Sequence, residues 1–417
     1  MSHRVVITGL GIVTPIGIGL PTFWKAALEG RSGISAITSF GEFPLESYRS
    51  RVAGQILDFD PTHFLDPAQT DRLDRYAQFA LIATREAVAD AGLRMDKENP
   101  RQVGVAVGAG MGAMMMGERE VTQLYRSQKP HRVHPNFIPT ITLNSASGLV
   151  GIAHGAKGPN VTISTACSSS VHAVGWGLAT LRAGQANVVI VAGAEASIQP
   201  LVFAGFCNLR ALSTSYNDRP AQASRPFDRG RDGFVMGEGA GGLVLESLAH
   251  AKQRRARIYA EVAGYAAGCE AYHMVIPRED GTDIADTMSQ ALNDARLRPS
   301  QVDCINAHAT STRRGDEVEV RGIRRVFKDR ADRVAVCGTK SLIGHALGAA
   351  GAIGVIAGAM TIETGLVHPT ANYDDPDPEC ALRGISRQTQ DRRVGALLVN
   401  AFGFGSNNAC IVLKKFH

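Results

Sequence analysis

The chain has 417 residues, 44% of them hydrophobic and 20% charged. That is a globular composition, which excludes a disordered, collagenous or coiled-coil protein and gives room for about two to three domain-sized units. The net charge of +5, from 44 Lys and Arg against 39 Asp and Glu, is too weak and scattered for nucleic-acid binding, and no aromatic residues interleave with it.

The elements follow in chain order. Val5 to Gly11 reads as a strand ending in glycines. No charged segment followed by an apolar one precedes it, so no signal peptide is expected. Ala77, Ala80, Leu81 and Val88 recur at helical spacing, with Thr84 as the one hydroxyl residue on that face. Val103 to Gly108 is a buried strand by pattern. Residues 113–160 read as an insert, with Met114–Met116 at a helix start. Val161 to Ser164 leads to Cys167 and then to a helix carrying Val171, Val174, Leu178 and Leu181. Val188 to Gly193 is again a continuous apolar strand. After the basic run Lys252 to Arg257, which predicts a solvated face, the order repeats. It runs through strand Ala260–Gly268, a helix with Ile284, Met288, Ala291, Leu292 and Ala295, and strand Val302–Ala307. His345 then leads into an Ala/Gly-rich helix, and strand Ala396–Ala401 follows. Ala346 to Ile362 carries no charge, but its many alanines and glycines make it short and weakly apolar for a membrane span. A helix buried on all sides is expected instead. Continuous apolar strands alternating with helices predict an α/β fold with sheets covered on both faces. The repeat predicts two βαβ-rich halves, 1–250 and 251–417, packed together with a site between them at strand ends.

Three loops carry reactive groups. In Ser164-Thr-Ala-Cys-Ser-Ser-Ser170 a strand ends at a cysteine just before a helix, which exposes the sulfur beside free backbone N–H groups. A helix N-terminus there predicts a depressed thiol pKa and donors for a carbonyl oxygen. The other six cysteines read as structural. Seven cysteines without metal-ligand spacing also predict a reducing, cytoplasmic compartment and no disulfide framework or metal site. Asn306-Ala-His-Ala-Thr-Ser-Thr312 delivers His308 into a loop of hydroxyl residues, followed by Glu319. Gly338-Thr-Lys-Ser-Leu-Ile-Gly-His345 ends at a second histidine. Cys167 and His345 are expected to begin corresponding helices of the two halves. Asn400-Ala-Phe-Gly-Phe-Gly-Ser-Asn-Asn408 flanks Phe404 with glycines that permit close backbone approach and movement.

This set of motifs resembles the β-ketoacyl-[acyl-carrier-protein] synthases of the type II elongation class (KAS II-like), and Arg225-Pro-Phe-Asp228, Arg231-Asp-Gly-Phe234 and Tyr272-His-Met274 match the same family. The resemblance covers essentially the whole chain. It implies a thiolase-like, duplicated five-layer αβαβα fold with mixed sheets and a homodimer, a heterodimer with a chain-length partner being the other possibility. It implies Cys167 as acyl-accepting nucleophile, His308 and His345 as the decarboxylation and oxyanion pair, Lys340 and Glu319 as supporting charges, and Phe404 as gatekeeper. Thr310 and Thr312 match the phosphopantetheine tunnel, and Met111 and Phe206 match positions near the acyl pocket. Arg210, Lys129 and Arg132 match residues that meet the acyl carrier protein. The implied substrates are acyl and malonyl carrier thioesters, with no metal or redox cofactor, phosphopantetheine arriving on the carrier. The chain departs from the family pattern at Ala309, where a glycine is usual, and at Ser406-Asn407, where Gly-Thr is usual.

The expected activity is therefore 3-oxoacyl-[acyl-carrier-protein] synthesis in fatty-acid elongation, with a dedicated polyketide, polyene or other specialised ketosynthase as the alternative. The intact Cys167 argues against a silent chain-length subunit. The absence of a second cysteine in a C-terminal glycine-rich loop argues against a biosynthetic thiolase.

Overall fold

In the computed structural model, residues 4–416 are described, Asp71 and the side chains of residues 68 and 69 excepted. Ten strands make the core: β1 (Val5–Thr14), β2 (Val103–Gly108), β3 (Asn160–Ile163), β4 (Val188–Glu195), β5 (Gly239–Ser247), β6 (Ala260–Cys269), β7 (Cys304–Asn306), β8 (Ala335–Cys337), β9 (Ala396–Gly403) and β10 (Asn407–Lys414). Six helices matter for the site: α1 (Arg75–Asp90), α2 (Met114–Ser127), α3 (Ser169–Arg182), α4 (Thr282–Asp294), α5 (Arg313–Phe327) and α6 (Ala350–Thr364).

The first five core strands lie in the order β3-β2-β4-β5-β1 and the last five in the order β8-β7-β9-β10-β6. In each set the first three strands are parallel and the last two pair antiparallel. The chain thus traces one topology twice, and the two sets join where Val6 and Ile7 of β1 face Glu261 and Ala260 of β6. Alternation along the strands explains why they read as continuous apolar runs. Val189 and Val191 face one core while Ile190 faces another. In β9, Leu397 and Val399 face the first core and Leu398 a third. The shared core is filled by Val171, Val174 and Leu178 of α3 and by Ile353 and Ile356 of α6, so these two helices lie between the sheets. Helix α1 covers the outer face of one sheet and α4 and α5 that of the other. The result is the five-layer αβαβα arrangement.

Close approach sets where small residues stand. A Cβ on Gly11 would lie 2.1 Å from the Ala83 carbonyl oxygen of α1, and one on Gly264 would lie 2.4 Å from the Ala291 carbonyl oxygen of α4. One segment among the described residues, Leu347–Thr364, is long and apolar enough to cross a membrane (mean hydropathy 1.4), and 89% of it is buried inside the fold. Its alanines and glycines let α6 pack against strands on both sides.

The helix starts depart from expectation. α3 follows a tight turn, Ala166–Ser168, and α6 follows an equivalent turn, Leu347–Ala349. Both turns open on a residue with left-handed φ, 52° at Ala166 and 40° at Leu347. By this correspondence the counterpart of Cys167 is Gly348, not His345. His345 lies upstream, bridged to Met236, with its N–H donating to the Val235 carbonyl at 2.7 Å.

Candidate active site

Cys167 sits in the turn between β3 and α3. The left-handed φ of Ala166 costs about 1–3 kcal/mol, and the serines around it hold the turn. Ser169 Oγ donates to the Ala166 carbonyl at 2.6 Å and accepts the Thr165 N–H at 2.9 Å, while Ser168 Oγ donates to the Thr165 carbonyl at 2.8 Å. The hydroxyl-rich sequence is thus the fastening of a strained elbow.

A cavity of about 630 Å³ opens above the thiol. It brings together Cys167, His308, His345, Phe404, Thr310, Thr312, Met111, Phe206 and, at its mouth, Arg210. Lys340 and Glu319 lie buried behind this lining. Lys129 and Arg132 lie elsewhere: they are exposed in and beside the turn Pro130–Arg132 after α2 and do not line the cavity. The Met114–Met116 run divides. Met114 packs against the cluster containing Cys167 and Phe203, Met115 is exposed, and Met116 enters the core under α1.

His308 leaves β7 and is positioned through its backbone. Glu319 of α5 accepts the N–H groups of His308 and Ala309, each at 2.8 Å, and the Asn400 side-chain amide of β9 at 3.0 Å. The methyl of Ala309 is buried, and its backbone is left-handed with φ 44°, a conformation that favours the glycine usual there. The two histidine rings stand nearly perpendicular with centroids 5.4 Å apart, and Phe234 and Phe402 pack against them edge-on. Burial, helped by the Lys340 charge, pushes both histidines well below the usual imidazole range, so both are neutral. Nδ1 of His308 and both ring nitrogens of His345 are buried without a hydrogen-bond partner.

Burial pulls Lys340 down to about 8, against Glu319 and Cys167, which hold it up. Burial also pushes the Cys167 thiol up to about 11, against Lys340 and the backbone N–H groups of Phe404 and Cys167, which favour the thiolate. The depressed thiol expected from the helix start is therefore not found: desolvation outweighs those donors. The two N–H groups do converge on the sulfur, the arrangement an oxyanion requires. Gly403 makes it possible, because a Cβ there would lie 2.7 Å from the Thr165 carbonyl oxygen and 3.2 Å from Cys167 N. The three-residue turn Phe404–Ser406 is then tied down. Ser406, at φ 63°, donates its hydroxyl to the His273 carbonyl at 3.0 Å, and the Gly405 N–H donates to the Met274 carbonyl at 2.8 Å.

Glu195 was not anticipated. Its buried carboxylate accepts N–H groups of Gly110 (2.8 Å), Met111 (3.1 Å) and Gly348 (3.1 Å) and the Ser197 hydroxyl (2.8 Å). It joins the Met111 loop of one half to the turn after His345 in the other. The available signal was an acid ending an otherwise apolar strand. Cys410, buried in β10 and donating to Asn400 Oδ1 at 3.3 Å, takes no part in the cavity.

The family model described as "Beta-ketoacyl synthase, N-terminal domain" matches residues 2–251, and "Beta-ketoacyl synthase, C-terminal domain" matches residues 259–374. The chain is 43% identical over 415 residues to a 3-oxoacyl-[acyl-carrier-protein] synthase 2 of Synechocystis sp., covering 100% of this chain and 99% of that protein. It is 41% identical over 414 residues to the protein of the same name in Coxiella burnetii, covering 99% of each. Among solved structures, a chain of the AntDE:AntF assembly, described as a type II PKS acyl-carrier protein in complex with its ketosynthase bound to the hexaketide, superposes with a TM-score of 0.93 at 35% identity over the whole of both chains. A beta-ketoacyl synthase from Burkholderia phymatum superposes with a TM-score of 0.92 at 31% identity, again over both whole chains. With matches to both halves and full-length relatives above two-fifths identity, the chain belongs to the beta-ketoacyl synthase family.

Proposed function

We propose that this protein is a 3-oxoacyl-[acyl-carrier-protein] synthase that joins a Cys167-bound acyl chain to malonyl carrier in type II fatty-acid elongation. The observation that carries the assignment is Cys167 at the floor of a cavity with two neutral histidines and two converging backbone N–H groups. The Cys167 sulfur attacks the acyl thioester, and the N–H groups of Cys167 and Phe404 receive the oxyanion. The pantetheine sulfur leaves with the cysteine proton, so the acyl transfer needs no net proton release. Malonyl thioester then enters. Its carbon–carboxylate bond breaks, CO2 departs, and the electron pair delocalises onto the thioester oxygen as an enolate. His308 and His345, neutral with donor Nε2–H, stabilise that oxygen. Donors of this kind are worth roughly 2.7–4 kcal/mol each where charge develops. The enolate carbon attacks the Cys167 thioester, the same hole receives the second oxyanion, and the cysteine sulfur leaves as thiolate, regaining its proton from water. Loss of CO2 drives the bond formation, so the reaction calls for no resident metal or redox group.

Lys340 keeps positive charge beside the thiol, and Glu319 fixes the His308 loop. Thr310 and Thr312, with hydroxyls 3.0 Å apart on the cavity wall, suit contact with the amides of an extended pantetheine arm. Met111 and Phe206 suit the acyl chain, and Arg210 suits an acidic carrier protein. Lys129 and Arg132 would act only through a carrier whose footprint extends past the cavity mouth. Two observations support a homodimer: β3 is an open sheet edge with no fully buried residue, and Ile138 and Ile152 between β2 and β3 are exposed. A second reading, a dedicated ketosynthase of a type II polyketide or similar pathway, draws on the AntDE:AntF likeness and on two adaptable methionines, Met111 lining the cavity and Met114 packed against the cluster containing Cys167. A panel of saturated and unsaturated acyl carriers, short to long, scored for elongation with malonyl carrier, separates the two. Broad use of ordinary saturated chains supports elongation, and narrow use of one unusual chain supports the second reading. Sedimentation tests the assembly: a monomer at micromolar concentration contradicts the homodimer.

A further inference from the structure

From the catalytic pair outward, one wall of the cavity is a single stretch of chain with graded exposure. His308 and Thr310 are buried, Thr312 is half-buried, and Arg313 and Arg314 are exposed where the cavity meets solvent. Arg210 lines the same mouth from the loop after Asn208. Three arginines therefore line one cavity. Arg313 is anchored through Nε to the Arg231 carbonyl at 3.3 Å, which leaves its terminal nitrogens uncommitted. Arg314 has one loose counter-charge, the exposed Glu279 at 3.7 Å.

The carboxylates near the cavity make hydrogen bonds away from the arginines, with one oxygen of Asp232 as the exception. Asp316, two residues after Arg314 and outside the cavity lining, is turned inward, accepting the Ser311 and Phe227 N–H groups beside the buried Arg231. Glu270 is occupied by the Arg278 N–H and the Asn408 amide. Asp232 accepts the Thr214 and Ser215 N–H groups through one oxygen, its other oxygen having no partner. His308, His345 and Cys167 line the same cavity as the three arginines, and the exposed Arg313 and Arg314 stand at its solvent side.

We propose that Arg313 and Arg314, with Arg210 facing them, bind the phosphate group at the outer end of the pantetheine arm while its thioester lies at Cys167. This deepens the proposed function and rests on it. Planar guanidinium forks suit the tetrahedral oxygens of a phosphate monoester or diester. Fixing that end sets how deeply the thioester reaches, so the pair governs affinity for the arm and not the chemistry at its tip.

The test compares acylation of Cys167, followed by intact-protein mass spectrometry, from four hexanoyl thioesters: carrier-bound, coenzyme A, pantetheine 4′-phosphate, and pantetheine without phosphate. The enzymes are wild type, R313Q/R314Q and R313K/R314K. Both side chains are exposed, so the variants should fold, and a thermal melt checks this. The expected result is a loss of acylation efficiency of about tenfold or more for R313Q/R314Q with every phosphate-bearing thioester. Pantetheine should stay within about twofold, and the lysine variant should be partly restored. An equal loss with pantetheine, or no loss with pantetheine 4′-phosphate, would overturn the proposal. A loss confined to the carrier thioester also overturns it and assigns the arginines to the carrier's protein surface. Failure of wild type with all four would instead refute the reading as an elongation enzyme for ordinary saturated chains, and with it the proposal that rests on that reading.

Discussion

Gly403→Ala perturbs the oxyanion hole with a single methyl. Its Cβ would lie 2.7 Å from the Thr165 carbonyl oxygen, 3.1 Å from Ser168 Oγ and 3.2 Å from Cys167 N. The first contact is with backbone and cannot be relieved by a side-chain rotation. Restoring ordinary van der Waals separation requires the end of β9 to retreat by roughly 0.7 Å, and overpacking of this kind costs about 1–3 kcal/mol. A domain with roughly 5–15 kcal/mol of stability remains folded. The retreat carries the Phe404 N–H away from Cys167. Loss of one such donor costs roughly 10²–10³ in rate, and a partial displacement should cost at least about tenfold. Cys167 acylation from an acyl thioester, timed by rapid quench and intact mass, should slow by that factor while the melting temperature falls by only a few degrees. Acylation within twofold of wild type in a folded protein would refute the role given to the Phe404 N–H.

The pH dependence of the thiol offers a second test. Lys340 titrates near 8 and Cys167 near 11, and the reactive form is thiolate beside ammonium. That form gains population tenfold per pH unit until Lys340 begins to deprotonate, and then levels off, because it and the neutral pair carry the same number of protons. Alkylation of Cys167 by iodoacetamide should therefore rise to about pH 8 and flatten, whereas Lys340→Arg should keep rising; a wild-type profile without a break contradicts the coupling. Stability has its own acid limb. Burial pushes Glu246 up, but hydrogen bonds from Arg254, His250 and Thr8 outweigh it and hold the carboxyl at about 2. Its contribution is complete above the unfolded value of 4.5 and is lost as pH falls from there toward 2, by up to about 3 kcal/mol. Glu246→Gln should flatten this limb in pH-dependent denaturation, and an unchanged limb would count against it. Met111→Trp should shorten the longest acyl chain accepted, and unaltered product length removes Met111 from the pocket. Ala309→Gly exchanges relief of a left-handed alanine, about 1 kcal/mol, for loss of one buried methyl, about 0.8 kcal/mol. Its melting temperature should stay within about 2 °C, and a larger fall would mean that the methyl does more than fill space.

The repeat was legible because both sheets are covered on both faces, so each half writes its strands as continuous apolar runs in the same order. The reactive residues were legible because each ends a strand: Cys167 after β3 and His308 after β7. What the motifs could not supply depends on tertiary placement. The pairing of Cys167 with Gly348 follows from matching backbone turns, which a glycine in an Ala/Gly-rich stretch does not reveal. Glu195 is an acid whose partners are amides from both halves, and no local pattern brings Gly110 and Gly348 to it. The thiol's raised pKa follows from burial, whereas the sequence showed only the helix that opposes it. Lys129 and Arg132 follow α2, none of whose residues lines the cavity, and their distance from it is a matter of tertiary placement.

The most direct test of the whole account is the site of acylation. Wild-type protein incubated with an acyl carrier thioester should gain one acyl mass, mapped to the peptide containing Cys167, and release a 3-oxoacyl product with CO2 when malonyl carrier is added. Cys167→Ala should gain none. An acyl group found on another residue, or retained by Cys167→Ala, would contradict the account.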